Sequence, residues 1–141
     1  MFLITCFCDW KCCKEENFPY SICQNNKLIH QVNKEYNIED IIKVYINNDI
    51  TKAVVFGGLE PLMQYVELKD FIKQFREKCD DDVVIYTGYY KDEINALVNE
   101  LKQFNNIIIK FGRYIPNHKE HFDKVLGVNL ASDNQYAERI S

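Results

Sequence analysis

Five of the chain's six cysteines, Cys6, Cys8, Cys12, Cys13 and Cys23, fall within its first 23 residues. Thiolates are soft donors suited to iron–sulfur clusters and to zinc. Their crowding at one end excludes a disulfide framework spread along the chain and points to metal or redox chemistry. Zinc fingers pair cysteines closely and add a second pair, or histidines, downstream. No second pair follows here, although His30 could complete a tetrahedral site. Spacing alone therefore leaves three readings open: an iron–sulfur cluster, a zinc site, or thiols buried as small hydrophobes. Cys79 lies far from the others and reads as a buried helical thiol. A cluster needs no histidine, so His30, His118 and His121 read as surface or loop residues.

A second grouping is Phe56-Gly57-Gly58-Leu59-Glu60-Pro61. A double glycine at a strand end lets a ligand approach the backbone, and a carboxylate beside it can hold a cationic group. The same residues also suit a plain strand-to-helix turn with proline near the helix start.

The elements that must position these groups follow from apolar periodicity. Ile38, Ile41, Ile42 and Tyr45 recur at helical spacing, predicting a helix over 38–48, and Ala53–Phe56 follows as a strand. Leu68, Phe71, Ile72 and Phe75 mark a second helix. It stops near Asp80-Asp81-Asp82, which read as a solvated turn, and Val83–Tyr86 is the next strand. Ile94, Leu97, Val98 and Leu101 mark a third helix before the strand Ile107–Ile109. The strands are continuously apolar, as expected when helices cover both faces or a barrel closes around the core. The fold class is α/β with a mostly parallel sheet. With Phe2–Thr5 as first strand and Val125–Val128 as a fifth, the units are too few for a closed eightfold barrel, so a small partial (βα) barrel is expected. The loops that end the strands should meet at one edge, the place where parallel α/β proteins bind ligands.

The 141 residues form one expected domain, 1–141, with 47% hydrophobic and 27% charged residues. With 17 Lys+Arg against 21 Asp+Glu, the net charge of −4 offers nucleic acid no basic footprint. No apolar run is long enough to span a membrane, and the first residues lack a secretory signal pattern. The expectation is a cytoplasmic protein with neither nucleic acid nor membrane as partner.

Taken together, the motifs resemble the radical SAM superfamily, and within it the activating proteins of anaerobic ribonucleotide reductase. That superfamily has three cysteines in a C-x3-C-x2-C loop after the first strand and a Gly-Gly-Glu-Pro stretch ending the second. Cys8 and Cys12 match the first two cysteines, and Cys23, preceded by Ser21-Ile22 and followed by Gln24-Asn25, is similar to the third. Gly57, Gly58, Glu60 and Pro61 match the second motif. Tyr86-Thr87-Gly88-Tyr89, Gly112-Arg113-Tyr114 and Ser132-Asp133-Asn134-Gln135 resemble later activase turns, in family order, so the resemblance runs over nearly the whole chain. It departs from the family at three places. Ten residues separate Cys12 from Cys23 where the family has two, Leu59 interrupts the Gly-Gly-Glu motif, and Lys110 stands where the activases carry an acidic residue two places before the Gly-Arg turn. The long interval leaves Cys13 in competition with Cys12.

The resemblance implies a radical SAM-like partial barrel holding a 4Fe–4S cluster on Cys8, Cys12 and Cys23, with one iron left to S-adenosylmethionine (SAM). It implies that Gly57, Gly58 and Glu60 hold the methionine end of SAM and that Ile22 packs near the adenine. Adjacent side chains in an extended loop point apart, so Cys13 is expected within that loop but unbound. The implied activity is radical installation on a glycyl radical enzyme such as anaerobic ribonucleotide reductase, with an electron donor such as flavodoxin or ferredoxin. Lys110 bears on substrate choice. The alternative is an iron–sulfur binding or electron-transfer module that does not cleave SAM.

Overall fold

The computed structural model describes residues 1–141. Strands β1 (Phe2–Thr5), β2 (Ala53–Gly58), β3 (Asp82–Tyr86) and β4 (Ile107–Phe111) run parallel and in chain order across one sheet, which β7 (Tyr136–Arg139) closes antiparallel to β4. Between the strands lie α1 (Lys11–Glu15), α2 (Ile38–Ile46), α3 (Tyr65–Arg76) and α4 (Asn95–Leu101), with short 3-10 turns. The α/β, mostly parallel architecture is the expected one. No helix is long and apolar enough to cross a membrane.

Alternation along each strand divides its side chains between two faces. Val54 and Phe56 of β2, Val83 and Ile85 of β3, and Ile107, Ile109 and Phe111 of β4 join Ile42 and Tyr45 of α2, Leu68, Phe71, Ile72 and Phe75 of α3, and Val98 and Leu101 of α4 in the main core. The helical apolar stripes that were legible in the sequence therefore all pack on one face. On the other face Val84, Ile108 and Ala137 form a small cluster with Val55, Tyr86 and Leu126. Toward β1 that face opens, and Phe2 and Ile4 are 55% and 62% exposed. Helices thus cover one face, and the other is the wall of a concavity.

The chain's end departs from expectation. Residues 124–127 are a turn, so Val125–Val128 is not the fifth strand. Asp123 accepts hydrogen bonds from the backbone of Val125 and Leu126, both 2.9 Å, and Gly127 at φ 69° completes the reversal. The turn joins β5 (His121–Asp123) to β6 (Val128–Leu130) in a separate antiparallel hairpin. The other oxygen of Asp123 accepts from Ala137 N at 2.8 Å, which ties this hairpin to β7.

Candidate functional site

The loops after β1, β2, β3 and β4 meet at one edge, as the strand-end glycines suggest, around a cavity of about 580 Å³. Cys8, Cys12, Cys13 and Cys23 line it, with Ile22, Gly58 and Glu60. The ten-residue interval does not swing free. After α1 the chain turns back, Phe18 N bonding Cys13 O at 2.9 Å, and Tyr20 stacks on Trp10 with ring centroids 4.9 Å apart. That stacking closes the excursion and delivers Cys23 to the cavity that Cys8 and Cys12 already face. Cys6 bonds Gln64 instead, and Cys79 accepts from Asp81 N at the far end of the sheet. His30 is exposed and lies outside the cavity.

One expectation about this loop is corrected. Cys12 and Cys13 sit on helix α1 and not in an extended strand, so their side chains diverge by about 100° around a helix axis. Both nevertheless reach the cavity wall. Cys12 Sγ fits against Gly88, where an added Cβ would collide with it. Trp10 N donates to Cys8 Sγ at 3.3 Å. Burial pushes the Cys8 thiol up to about 11 and the Cys12 thiol to about 12.

The Gly57-Gly58-Leu59-Glu60 stretch does several jobs. Gly57 lies under the Phe2 ring, which a Cβ there would push aside, and stands outside the cavity wall. Gly58 lies on the wall and has φ 91°, a conformation that favours glycine. Leu59 is buried, and Glu60 N bonds Phe7 O at 2.8 Å, which anchors the motif to the cysteine loop. The buried Glu60 carboxylate accepts from Leu62 N at 3.1 Å, Thr87 Oγ1 at 2.8 Å and Gly88 N at 2.9 Å. Burial raises its pKa, and those three donors oppose the shift. The Thr-Gly-Tyr turn is therefore built onto Glu60, while Tyr89 Oη reaches across to Asp9 Oδ2 at 2.7 Å and pins the cysteine loop.

Lys11, Glu15 and Glu93 carried no readable signal in the sequence, and the Gly-Arg turn and the Ser-Asp-Asn-Gln segment were legible only as resemblances. Arg113 is 1% exposed and bonds Glu93 through two nitrogens, at 3.1 and 2.7 Å, and also Glu15. Lys11 bonds Glu93 at 2.7 Å and Glu15 at 3.5 Å, so four charges clamp α1 onto the loops after β3 and β4. Hydrogen bonds from Arg113 hold the Glu93 carboxyl down at about 2, against the opposing effect of burial and with help from Lys11. Asn134 donates to Arg113 O at 2.9 Å and Gln135 to Gly112 O at 3.3 Å, so the Ser-Asp-Asn-Gln segment braces the Gly-Arg turn. Lys110 points into the cavity from β4, 8% exposed.

The chain matches the model of a family described as a 4Fe-4S single cluster domain over residues 2–135. It belongs to that family. No curated protein and no solved structure matches the chain significantly. A 4Fe–4S domain is the first of the three readings that the cysteine spacing left open. The donors fit it. No three Cys, His, Asp or Glu side chains are gathered as a single ion would require, whereas four thiols stand apart around one cavity with room between them. Soft sulfur donors at the rim of a cavity suit a cluster, which is larger than one ion.

Proposed function

We propose that this 4Fe–4S domain is a SAM-dependent radical activase. It generates a 5′-deoxyadenosyl radical and installs a glycyl radical on a partner enzyme such as anaerobic ribonucleotide reductase, with reduction by a flavodoxin or ferredoxin. One observation carries the reading: Cys8, Cys12, Ile22 and Cys23 line the same strand-end cavity as Gly58 and Glu60, which lie far along the chain from them.

Cys8, Cys12 and Cys23 would hold the cluster, with Cys13 left unbound beside Cys12 on α1. A reduced cluster held by three protein thiolates supplies one electron and a coordination position open to a small ligand. The protein's part is to position that ligand and keep water out. A carboxylate offers about four lone-pair directions, and three at Glu60 are spent on protein donors. The remaining direction is available to an ammonium group of the methionine end. Gly58 lets the ligand lie against backbone, and the half-exposed Ile22 offers the adenine an apolar neighbour. The open inner face of the sheet beside Phe2 and Ile4 leaves a lateral approach for a loop of a protein substrate.

The test is anaerobic reconstitution with iron and sulfide, then addition of SAM and a strong reductant. The reading expects 5′-deoxyadenosine and methionine in equal amounts. A protein that loads a full cluster yet forms no 5′-deoxyadenosine is instead a cluster-binding or electron-transfer module.

A further inference from the structure

Two cations stand where the cysteine helix meets the strand ends, and the protein neutralises only one of them. Arg113 is paired with Glu93 and Glu15. Lys110 takes part in none of the chain's ion pairs, although it is buried. It stands on β4 in register with Tyr86 of β3, and Thr87 N donates to its backbone oxygen at 2.9 Å. The next residue, Gly88, is the one against which Cys12 Sγ rests. Lys110 Nζ donates to Gly112 O at 2.8 Å, so its side chain leans toward the strand ends, where the cysteines lie. Lys110 and Cys12 thus flank the Thr87-Gly88 turn and line the same cavity.

Burial lowers the pKa of Lys110 to about 8, and Cys12 and Glu60 oppose that shift, so the side chain is cationic at neutral pH. Stripping an ammonium of water is unfavourable unless negative charge lies near it. Glu60 supplies some from beyond ion-pair distance. A cluster on Cys8, Cys12 and Cys23 supplies more, because three thiols become thiolates. Reduction by one electron from the external donor then adds one further negative charge at the cysteines, with no bond formed or broken. Net charge and solvent exposure are among the levers that set an iron–sulfur potential, and a fixed cation favours the reduced form over the oxidised one. Phe18, Leu28 and Leu59 give this cavity apolar wall, which leaves the charge poorly screened.

We propose that Lys110 raises the reduction potential of the cluster by stabilising its reduced form, and so sets how strong an electron donor the protein needs. The proposal rests on the placement of the cluster at Cys12 and holds whether or not SAM is cleaved.

The test is an anaerobic redox titration, without SAM, of the reconstituted parent and of Lys110→Met, Lys110→Gln and Lys110→Arg. Electron paramagnetic resonance of the reduced cluster gives the midpoint, and iron and sulfide are measured in each protein. The Met and Gln variants should carry the same iron as the parent. At a fixed potential their ratio of reduced to oxidised cluster should fall about tenfold, the effect of one unit charge across about 12 Å at an effective dielectric constant of about 20. For a one-electron couple that is a midpoint lower by about 59 mV. Lys110→Arg keeps the charge and should stay close to the parent. A Lys110→Met protein with the parent's midpoint overturns the proposal, and so does a Lys110→Arg protein as low as Lys110→Met. Lys110→Gln can still donate to Gly112 O without a charge, so a Gln variant at the parent's midpoint beside a lowered Met variant also overturns it, by assigning the effect to the hydrogen bond. Cys12→Ala is loaded alongside. Full iron in Cys12→Ala removes the placement of the cluster on which the proposal rests, whereas loss of iron there with an unmoved midpoint in Lys110→Met removes the lysine assignment alone.

Discussion

Replacing Arg113 by methionine keeps much of the side chain's apolar bulk and removes the charge at the centre of the clamp on α1. This helix spans Lys11–Glu15 and has no side-chain N-cap, so it is far too short to persist alone. Its charged ties to the rest of the protein are Lys11 to Glu93 and Arg113 to Glu15, with Arg113 bonded to Glu93 and its guanidinium 4.6 Å from the Tyr90 ring centroid. Breaking a fully buried ion pair costs about 3–5 kcal/mol. Here Arg113 is buried, but the side chains of Glu15 and Glu93 are 47% and 20% exposed, and water softens their loss. About 2–3 kcal/mol is the expected cost, a fall in Tm of roughly 6–10 °C for a chain of this size. Anaerobic thermal unfolding of the cluster-loaded protein reads the stability, and a chelator chase reads the cluster. Undocking α1 displaces Cys12, so iron should leave Arg113→Met faster than the parent at a temperature where both remain folded. Arg139→Met, which breaks the more exposed pair with Asp82, is the control and should cost less than about 0.5 kcal/mol. If Arg113→Met costs no more than Arg139→Met and holds its iron equally long, the clamp does not position the cysteine helix.

The same clamp should be sensitive to acid. Glu93 is held down at about 2 in the folded protein, so its contribution is complete above the ordinary carboxyl range and is lost as pH falls from about 4.5 toward 2. Trp10, the single tryptophan, should report the loss of its stacking on Tyr20 by fluorescence in the metal-free protein, and Glu93→Gln should abolish that transition; superimposable titrations would count against it. Single Cys→Ala changes at Cys8, Cys12 and Cys23 should each lower bound iron and sulfide, whereas Cys13→Ala and Cys79→Ala should leave them unchanged. Retention in Cys12→Ala with loss in Cys13→Ala would exchange the two helical thiols. Gly88→Ala should also reduce cluster loading, because its new methyl group would occupy the place of Cys12 Sγ while leaving the strands intact; full loading in this variant would show that the thiol has room to move.

What was legible in the sequence follows from interactions short in range or repeated in pattern. The apolar stripes of α2, α3 and α4 and the apolar runs of β2, β3 and β4 specify their own elements, because a helix or strand buries its face at a fixed period. The parallel order then brings the strand-end loops to one edge, so the site's location was readable from Gly57-Gly58, Thr87-Gly88 and Gly112 before any contact was known. The three-residue strands β5 and β6 were not readable, and Val125 and Leu126, apolar enough to suggest a strand, are bent into a turn by Asp123 next to Gly127. The four-residue β7 has its place only because β4 offers an unpaired edge. Cysteine crowding pointed to metal or redox chemistry but did not show which thiols face one cavity, since the return of Cys23 depends on Trp10 meeting Tyr20, and the direction of Cys13 depends on α1 being a helix. Charge identity was visible at Lys110, Arg113 and Glu93, but their roles were not. A lysine or arginine in a sequence is ordinarily solvated, and it gains a role when tertiary packing removes its water and selects the partner that must replace it.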